Sequence, residues 1–194
     1  MDTIRIVPRM DVFEIYDAGP IRHMRLAFAP GTNILTDTGG GGTGKTTFLD
    51  CAAAAATGRW PFEHQSSLRS RTKVIAEAGG SIYIFEPNQR PIATGSPNRG
   101  DGRSSLPTGA RALGSLHRAL MSAPAHSLVL LDGDILGVMD HCRLQQAVQL
   151  LADSPAQKLV VVPEPLVGHF SGFPCRPLTL EIRKEMTHCA RKDF

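Results

Sequence analysis

The sequence has few cysteines, no long apolar run and little net charge, and each shortage excludes a class of protein. None of the four cysteines in 194 residues belongs to a C-x-x-C pair, which excludes a dense disulfide framework and favours free thiols. Apolar runs such as residues 128–131 are far too short to span a membrane, and the first residues lack the apolar segment of a signal peptide. We therefore expect a cytoplasmic chain without membrane insertion. The cysteines are Cys51, Cys142, Cys175 and Cys189.

The net charge is +3, with a sequence pI of about 8.8. This balance is too weak to predict nucleic-acid binding by itself. Basic residues do cluster at positions 69–73 and 183–192. A solvated surface is the ordinary interpretation of such clusters, and contact with a DNA backbone is the alternative.

The order of apolar patterns predicts one α/β domain over residues 1–194. Short alternating segments at about 4–35 and 73–94 predict an antiparallel β side sheet, with a hairpin turn at 78–80. Continuously apolar strands at 127–131 and 158–162 are of the buried parallel type, and helical stripes precede each of them. A mobile loop is expected at about 95–107, and a last strand at 178–182. The sequence therefore predicts a mostly parallel sheet with an antiparallel side sheet.

Residues 39–46 match the phosphate-loop pattern G-x-x-x-x-G-K-[ST] at every fixed position. Glycines let successive backbone N–H groups point at one phosphate, the lysine contacts the β- and γ-phosphates, and the threonine hydroxyl can ligate Mg²⁺. A predicted strand precedes the loop, and a predicted helix follows it with its positive dipole end toward the phosphates. We predict that ATP binds here. The predicted ATP-binding residues are Gly39, Gly40, Gly41, Gly42, Thr43, Gly44, Lys45, Thr46 and Thr47.

A metal-binding carboxylate is expected at the end of a buried strand, and Asp132 directly follows the apolar run 128–131. With Thr46, it forms the predicted Mg²⁺ site. The competing interpretation is an aspartate that caps the helix after the strand.

With these two motifs, the sequence resembles the ATP-binding-cassette class of P-loop ATPases, and more closely the SMC/RecF-like ATPase heads. The resemblance covers about residues 12–162 and implies a P-loop NTPase core. Residues 106–111 resemble a degenerate form of the family's signature segment, which binds a γ-phosphate across a dimer. Met139 and Asp140 fall near its dimer-contacting aspartate loop. A homodimer or a larger protein assembly is what the resemblance implies.

The sequence departs from this family at two places. The family's catalytic glutamate directly follows the metal aspartate, and that position here is Gly133. Asp134, one residue further on, could replace it, so we predict Lys45 and Asp134 as the catalytic residues. The family also has a histidine after the next strand, and the nearest one here is His169. Both departures predict weak or atypical hydrolysis.

The sequence leaves several functions open. The first is an ATPase head that associates with itself or a partner when it binds Mg-ATP. A nucleotide-gated module without hydrolysis is the second. A ParA/MinD-like partition ATPase would carry a second lysine near position 40, which is glycine here. A small-molecule kinase would need an arginine-rich lid, and the loop at 95–107 holds only Arg99 and Arg103.

Overall fold

The computed structural model describes residues 4–37, 44–57, 68–86, 108–173 and 175–177. Within these ranges it shows four α-helices, one 3-10 helix and nine strands, and the strands form two sheets. The chain is a mixed α/β structure with both parallel and antiparallel strand pairs.

The main sheet has five strands in the order β1-β7-β8-β4-β9. Its last four strands run parallel, and only β1 pairs antiparallel, with β7. Every residue of β7 is buried, as expected for a parallel strand that is covered on both faces. The mostly parallel sheet is thus confirmed. Its strands are β1 (Ile4–Pro8), β4 (Thr32–Asp37), β7 (Ser127–Leu131), β8 (Gln157–Pro163) and β9 (Cys175–Pro177).

The second sheet has four antiparallel strands in the order β3-β2-β5-β6. Gly79 and Gly80 form the turn between β5 and β6, and both have positive φ angles. This confirms the predicted hairpin, although β5 begins at residue 68 rather than 73. The strands are β2 (Val12–Ala18), β3 (Ile21–Ala27), β5 (Leu68–Ala78) and β6 (Ser81–Phe85).

The predicted side sheet was wrong at two strands. β1 and the greater part of β4 fall within residues 4–35, yet both strands belong to the main sheet. Consecutive strands usually lie next to each other, so four strands in a row favour a single meander. Here β1 pairs with β7 and β4 with β8, both about 120 residues or more away, and no local pattern encodes that pairing. The strands predicted at 91–94 and 178–182 and the loop predicted at 95–107 lie outside the described residues.

Helices cover both faces of the main sheet. Leu128 and Leu130 of β7 face a core that includes α1 and the side sheet, whereas Val129 and Leu131 face α2 and α4. Four of the five alanines of α1 are buried, and Ala56 is partly buried, because this helix lies between the two sheets. A helix enclosed in this way is apolar all round. The helices are α1 (Lys45–Thr57), α2 (Thr108–Ser122), α3 (Asp134–Gly137), α4 (His141–Asp153) and the 3-10 helix (Glu164–Phe170).

Candidate functional site

The predicted phosphate loop is described only at its end. β4 ends at residue 37 and α1 begins at Lys45, so Gly39–Thr43 lie outside the described residues and remain a prediction. Lys45 and Thr46 are partly exposed in the first turn of α1, and the side chain of Thr47 is buried. The order strand, loop, helix is the one that the motif requires.

Gly44 joins the loop to α1 and is fixed by two constraints. Its φ angle is +91°, a backbone conformation that residues other than glycine rarely adopt. Its carbonyl accepts the N–H of Phe48 at 2.8 Å and so begins the helical hydrogen bonding. A Cβ at this position would lie 2.6 Å from Pro20 Cγ. The end of the loop therefore rests directly on the turn between β2 and β3.

Asp132 follows β7 at the carboxyl edge of the parallel strands. One carboxylate oxygen accepts the N–H of Asp134 at 3.3 Å, but the N-cap of α3 is Gly133, which no side chain caps, so Asp132 is not the capping residue of the competing interpretation. Burial raises the pKa of the Asp132 carboxyl, and the positive charges of Lys45 and Arg5 act in the opposite direction. Lys45 and Asp132, predicted from separate motifs, thus lie within electrostatic range of each other.

Gly133 is buried, and its position leaves no room for a side chain. A Cβ there would lie 2.1 Å from the carbonyl oxygen of Val161 and 2.6 Å from Cδ of Pro163. Its φ of −61° and ψ of −19° are ordinary helical values, so volume and not torsion requires the glycine. The neighbouring strand β8 fills the place where the resembled family has a glutamate.

Asp134 begins the short helix α3 and is exposed. Its backbone N–H donates to the Asp132 carboxylate, while its side chain faces solvent. The structure leaves its predicted catalytic role untested.

The signature-like and aspartate-loop segments contact each other within the chain. Gly109 is buried in the first turn of α2, where a Cβ would lie 2.8 Å from the carbonyl oxygen of Val138. Asp140 caps α4 by accepting the N–H of Arg143 at 2.9 Å, and it also pairs with the Arg143 guanidinium. Residues 106 and 107 lie outside the described residues. The dimer roles of both segments remain predictions.

His169 lies in the 3-10 helix after β8. Its ring centroid is 5.2 Å from that of His141 at the start of α4. Of the basic clusters, the described side chains are Arg71, which is exposed, and Lys73, which is half-buried.

Sequence reasoning missed an ion pair beside the predicted site. Arg5 of β1 donates to Asp50 of α1 at 2.5 Å, and the Asp50 side chain is fully buried. The sequence did offer one signal of a buried charge: Asp50 is the single carboxylate in an otherwise apolar segment, residues 48–56 of α1.

Within the described ranges, no group of three or more His, Cys, Asp or Glu side chains is arranged to hold a metal ion. A magnesium site built from one carboxylate, one hydroxyl and substrate phosphates would not need such a group. In the same ranges, no helix is long and apolar enough to cross a bilayer. Cys51 is buried and Cys142 is exposed, and both are free thiols.

No family model and no curated protein matches the chain in sequence. Among the solved structures that resemble it in part are an SMC head domain and a recombination mediator protein. The SMC head domain from Thermotoga maritima is 13% identical over 87% of this chain and 94% of that one, with a TM-score of 0.42. The recombination mediator protein RecF of the RecFOR pathway, solved as RecF-ATPrS, is 13% identical over 42% of this chain, with a TM-score of 0.31. The match spans 25% of the RecF chain. At these TM-scores, neither likeness assigns a function to the chain.

Proposed function

We propose that this chain binds ATP with Mg²⁺ at the carboxyl edge of the main sheet, through residues 39–47 and Asp132. The observation that carries this proposal is the juxtaposition of Lys45 and Asp132. Lys45 begins the helix after β4, Asp132 directly follows β7, and the charge of Lys45 acts on the Asp132 carboxyl. A phosphate-binding lysine and a metal-binding carboxylate must converge in this way on one nucleotide.

The residues present suit a hard divalent cation. Asp132 is a partly buried carboxylate whose ionised form is disfavoured by burial, and a bound cation would offset that cost. Thr46 supplies a hydroxyl oxygen in the first turn of α1. These two side chains would hold Mg²⁺, which when bound neutralises charge on the β- and γ-phosphates. Lys45 and the N–H groups at the start of α1 would hold the phosphates themselves.

We propose that hydrolysis is slow. A positioned general base typically contributes about 10²–10⁴-fold to a rate, and Gly133 offers no side chain to act as one. The Cβ distance of 2.1 Å to Val161 means that no other residue fits there without a shift of the backbone. This observation favours a nucleotide-gated binding module over a fast ATPase.

Calorimetry of ATP binding in the presence of Mg²⁺ tests the first proposal. The substitution Lys45→Ala removes a charge-assisted contact worth about 1.5–3 kcal/mol, so affinity should fall roughly ten- to hundredfold. Lys73→Ala removes a lysine from the side sheet and should leave the affinity unchanged. Equal affinities in the wild type and Lys45→Ala would refute the proposal.

Slow hydrolysis would let bound ATP favour an associated state, with a second copy or a protein partner, because a ligand shifts an equilibrium only by its differential affinity. Light scattering should show a larger particle with ATP, and turnover should stay below about one per minute, far under typical enzyme rates. Fast turnover that Asp134→Asn abolishes would instead make Asp134 the catalytic base.

A further inference from the structure

Arg5 connects two elements of the proposed nucleotide site. It lies on β1, opposite Leu130 of β7, and the next pair in this register is Ile4 with Leu131. Asp132 follows directly at the end of β7. From this position the Arg5 guanidinium reaches across to α1 and donates to Asp50 at 2.5 Å. One side chain thus joins the strand pair before Asp132 to the helix that begins at Lys45.

The contact is well placed to fix the geometry of α1. The Asp50 side chain is 0% exposed and that of Arg5 is 24% exposed, so the carboxylate is shielded from water and the guanidinium only partly so. A buried carboxylate requires a charged partner at close range, and its loss is strongly unfavourable. The position of α1 against β1 is therefore held by a directional contact in addition to apolar packing.

The same face of α1 carries the predicted metal ligand. Thr46 precedes Asp50 by four residues, and side chains four apart in a helix lie one turn above each other on one face. Arg5 contacts Asp50, which lies one helical turn after Thr46. The charge of Arg5 also acts on the Asp132 carboxyl. Arg5 is thus in contact with the turn below Thr46 and in electrostatic range of Asp132.

We propose that Arg5 is a positioning residue that holds Thr46 and Asp132 in the relative arrangement needed to share one Mg²⁺ ion, an inference that rests on the proposed function. In this role the amino-terminal strand β1 is part of the nucleotide site, although it contributes no ligand itself. Phosphate binding by Lys45 and the preceding loop depends on the start of α1 and not on the position of Asp132. Metal binding needs α1 and β7 together, so Arg5 should matter chiefly for the Mg²⁺-dependent part of ATP affinity.

The test is the ratio of the ATP dissociation constant in EDTA to that in Mg²⁺, measured by calorimetry on the full chain. Residues that orient metal ligands typically change metal affinity by about 10–100-fold, so Arg5→Gln should lower this ratio by about tenfold or more. Arg5→Lys keeps the charge and should recover a large part of it. Arg118→Gln removes an exposed arginine of α2 and is the matched control, with an unchanged ratio expected.

Thermal unfolding of each variant separates positioning from loss of the fold. Arg5→Gln leaves Asp50 buried beside a neutral side chain, so the double variant Arg5→Gln with Asp50→Asn is included to remove that charge. Each ratio is measured well below the melting temperature of the variant concerned. If Arg5 positions the metal ligands, the double variant should regain thermal stability while its ratio of ATP dissociation constants stays low. A double variant with the wild-type ratio, or a folded Arg5→Gln variant with that ratio, would overturn the inference. A wild-type chain that binds no ATP in either buffer would overturn the proposed function, and this inference with it.

Discussion

The connections from β4 to α1 and from β7 to α3 leave the same edge of the main sheet, yet they are built in opposite ways. The first spans residues 38–44, is rich in glycine and ends at Gly44 with a φ angle of +91°. The second has only Asp132 and Gly133 between β7 and α3. Neither residue of this second connection has a positive φ, and the glycine is enclosed by β8.

The difference shows that glycine serves two separate purposes in one candidate site. At Gly44 it permits a backbone conformation, which suits a loop whose N–H groups must turn toward phosphate. At Gly133 it saves volume, so that the connection after Asp132 can pack against the carbonyl of Val161. The first connection is the one that we propose to hold the phosphates, whereas the second positions the Asp132 carboxylate and leaves no room for a side chain at Gly133.

The largest effect is expected at the enclosed glycine. Gly133→Ala would place a methyl group 2.1 Å from the Val161 carbonyl oxygen, and the backbone must move to admit it. Overpacking typically costs about 1–3 kcal/mol, and a contact this short belongs at the upper end of that range, which lowers the melting temperature by about 6 °C or more in a chain of this length. Thermal unfolding followed by circular dichroism measures it.

Gly137→Ala is the matched control, because Gly137 ends α3, the short helix that Gly133 precedes, and a Cβ there meets nothing within 4 Å. Its melting temperature should stay close to that of the wild type. If Gly133→Ala were as stable as Gly137→Ala, the volume constraint would be wrong, and Gly133→Glu would become a reasonable way to test whether a glutamate at this position speeds hydrolysis.

A smaller loss is expected at Gly44. An alanine with positive φ costs about 1–2 kcal/mol, and at Gly44 the contact with Pro20 adds to this cost. Gly80→Ala shares the strain, with φ of +80° and nothing within 4 Å of its Cβ, so the difference between the two variants isolates the contact. Chemical denaturation should find Gly44→Ala the less stable, and adding Pro20→Gly should remove the excess. An excess that persists in the double variant would exclude Pro20 as its source.

Much of the fold could be predicted because its signals are local. Strand β7 has the predicted bounds at 127–131, and α1 begins within one residue of the predicted start. The Gly79-Gly80 turn and the burial of β8 could also be predicted from a few neighbouring residues. Each of these features depends on periodicity or turn chemistry within one segment.

The remaining features depend on contacts between distant segments. Sequence order favoured a meander for residues 4–35, whereas β1 pairs with β7 across the chain. The pair between Arg5 and Asp50 spans 45 residues, so neither residue carries a motif that identifies the other. Gly133 was noticed as a missing glutamate, but only the approach of β8 explains why no side chain fits. Pairing and volume are properties of the folded chain.

The smallest effect, and one of opposite sign, is expected at Asp132 in the absence of ligands. Burial raises the pKa of this carboxyl above its ordinary value of 3.8. The folded state therefore holds the proton more tightly than the unfolded state, and stability falls as pH rises from about 3.8 through the folded-state pKa. At neutral pH the ionised side chain destabilises the fold. Asp132→Asn removes that charge and keeps an oxygen that can accept the Asp134 N–H, so its melting temperature should exceed that of the wild type by a few degrees.

Two conditions sharpen this prediction in a thermal unfolding series. Lowering the pH toward 3.8 should bring the two melting temperatures together, because the wild-type carboxyl becomes protonated and loses its disadvantage. Adding Mg²⁺ and ATP at pH 7 should reverse the order, because ligand binding stabilises only a folded state that can bind it and a neutral amide is a poor ligand for a hard cation. If the variant is less stable than the wild type without ligands and gains as much from Mg-ATP, Asp132 has a structural role through its bond to the Asp134 N–H, and the metal site must be sought elsewhere on the edge of the sheet.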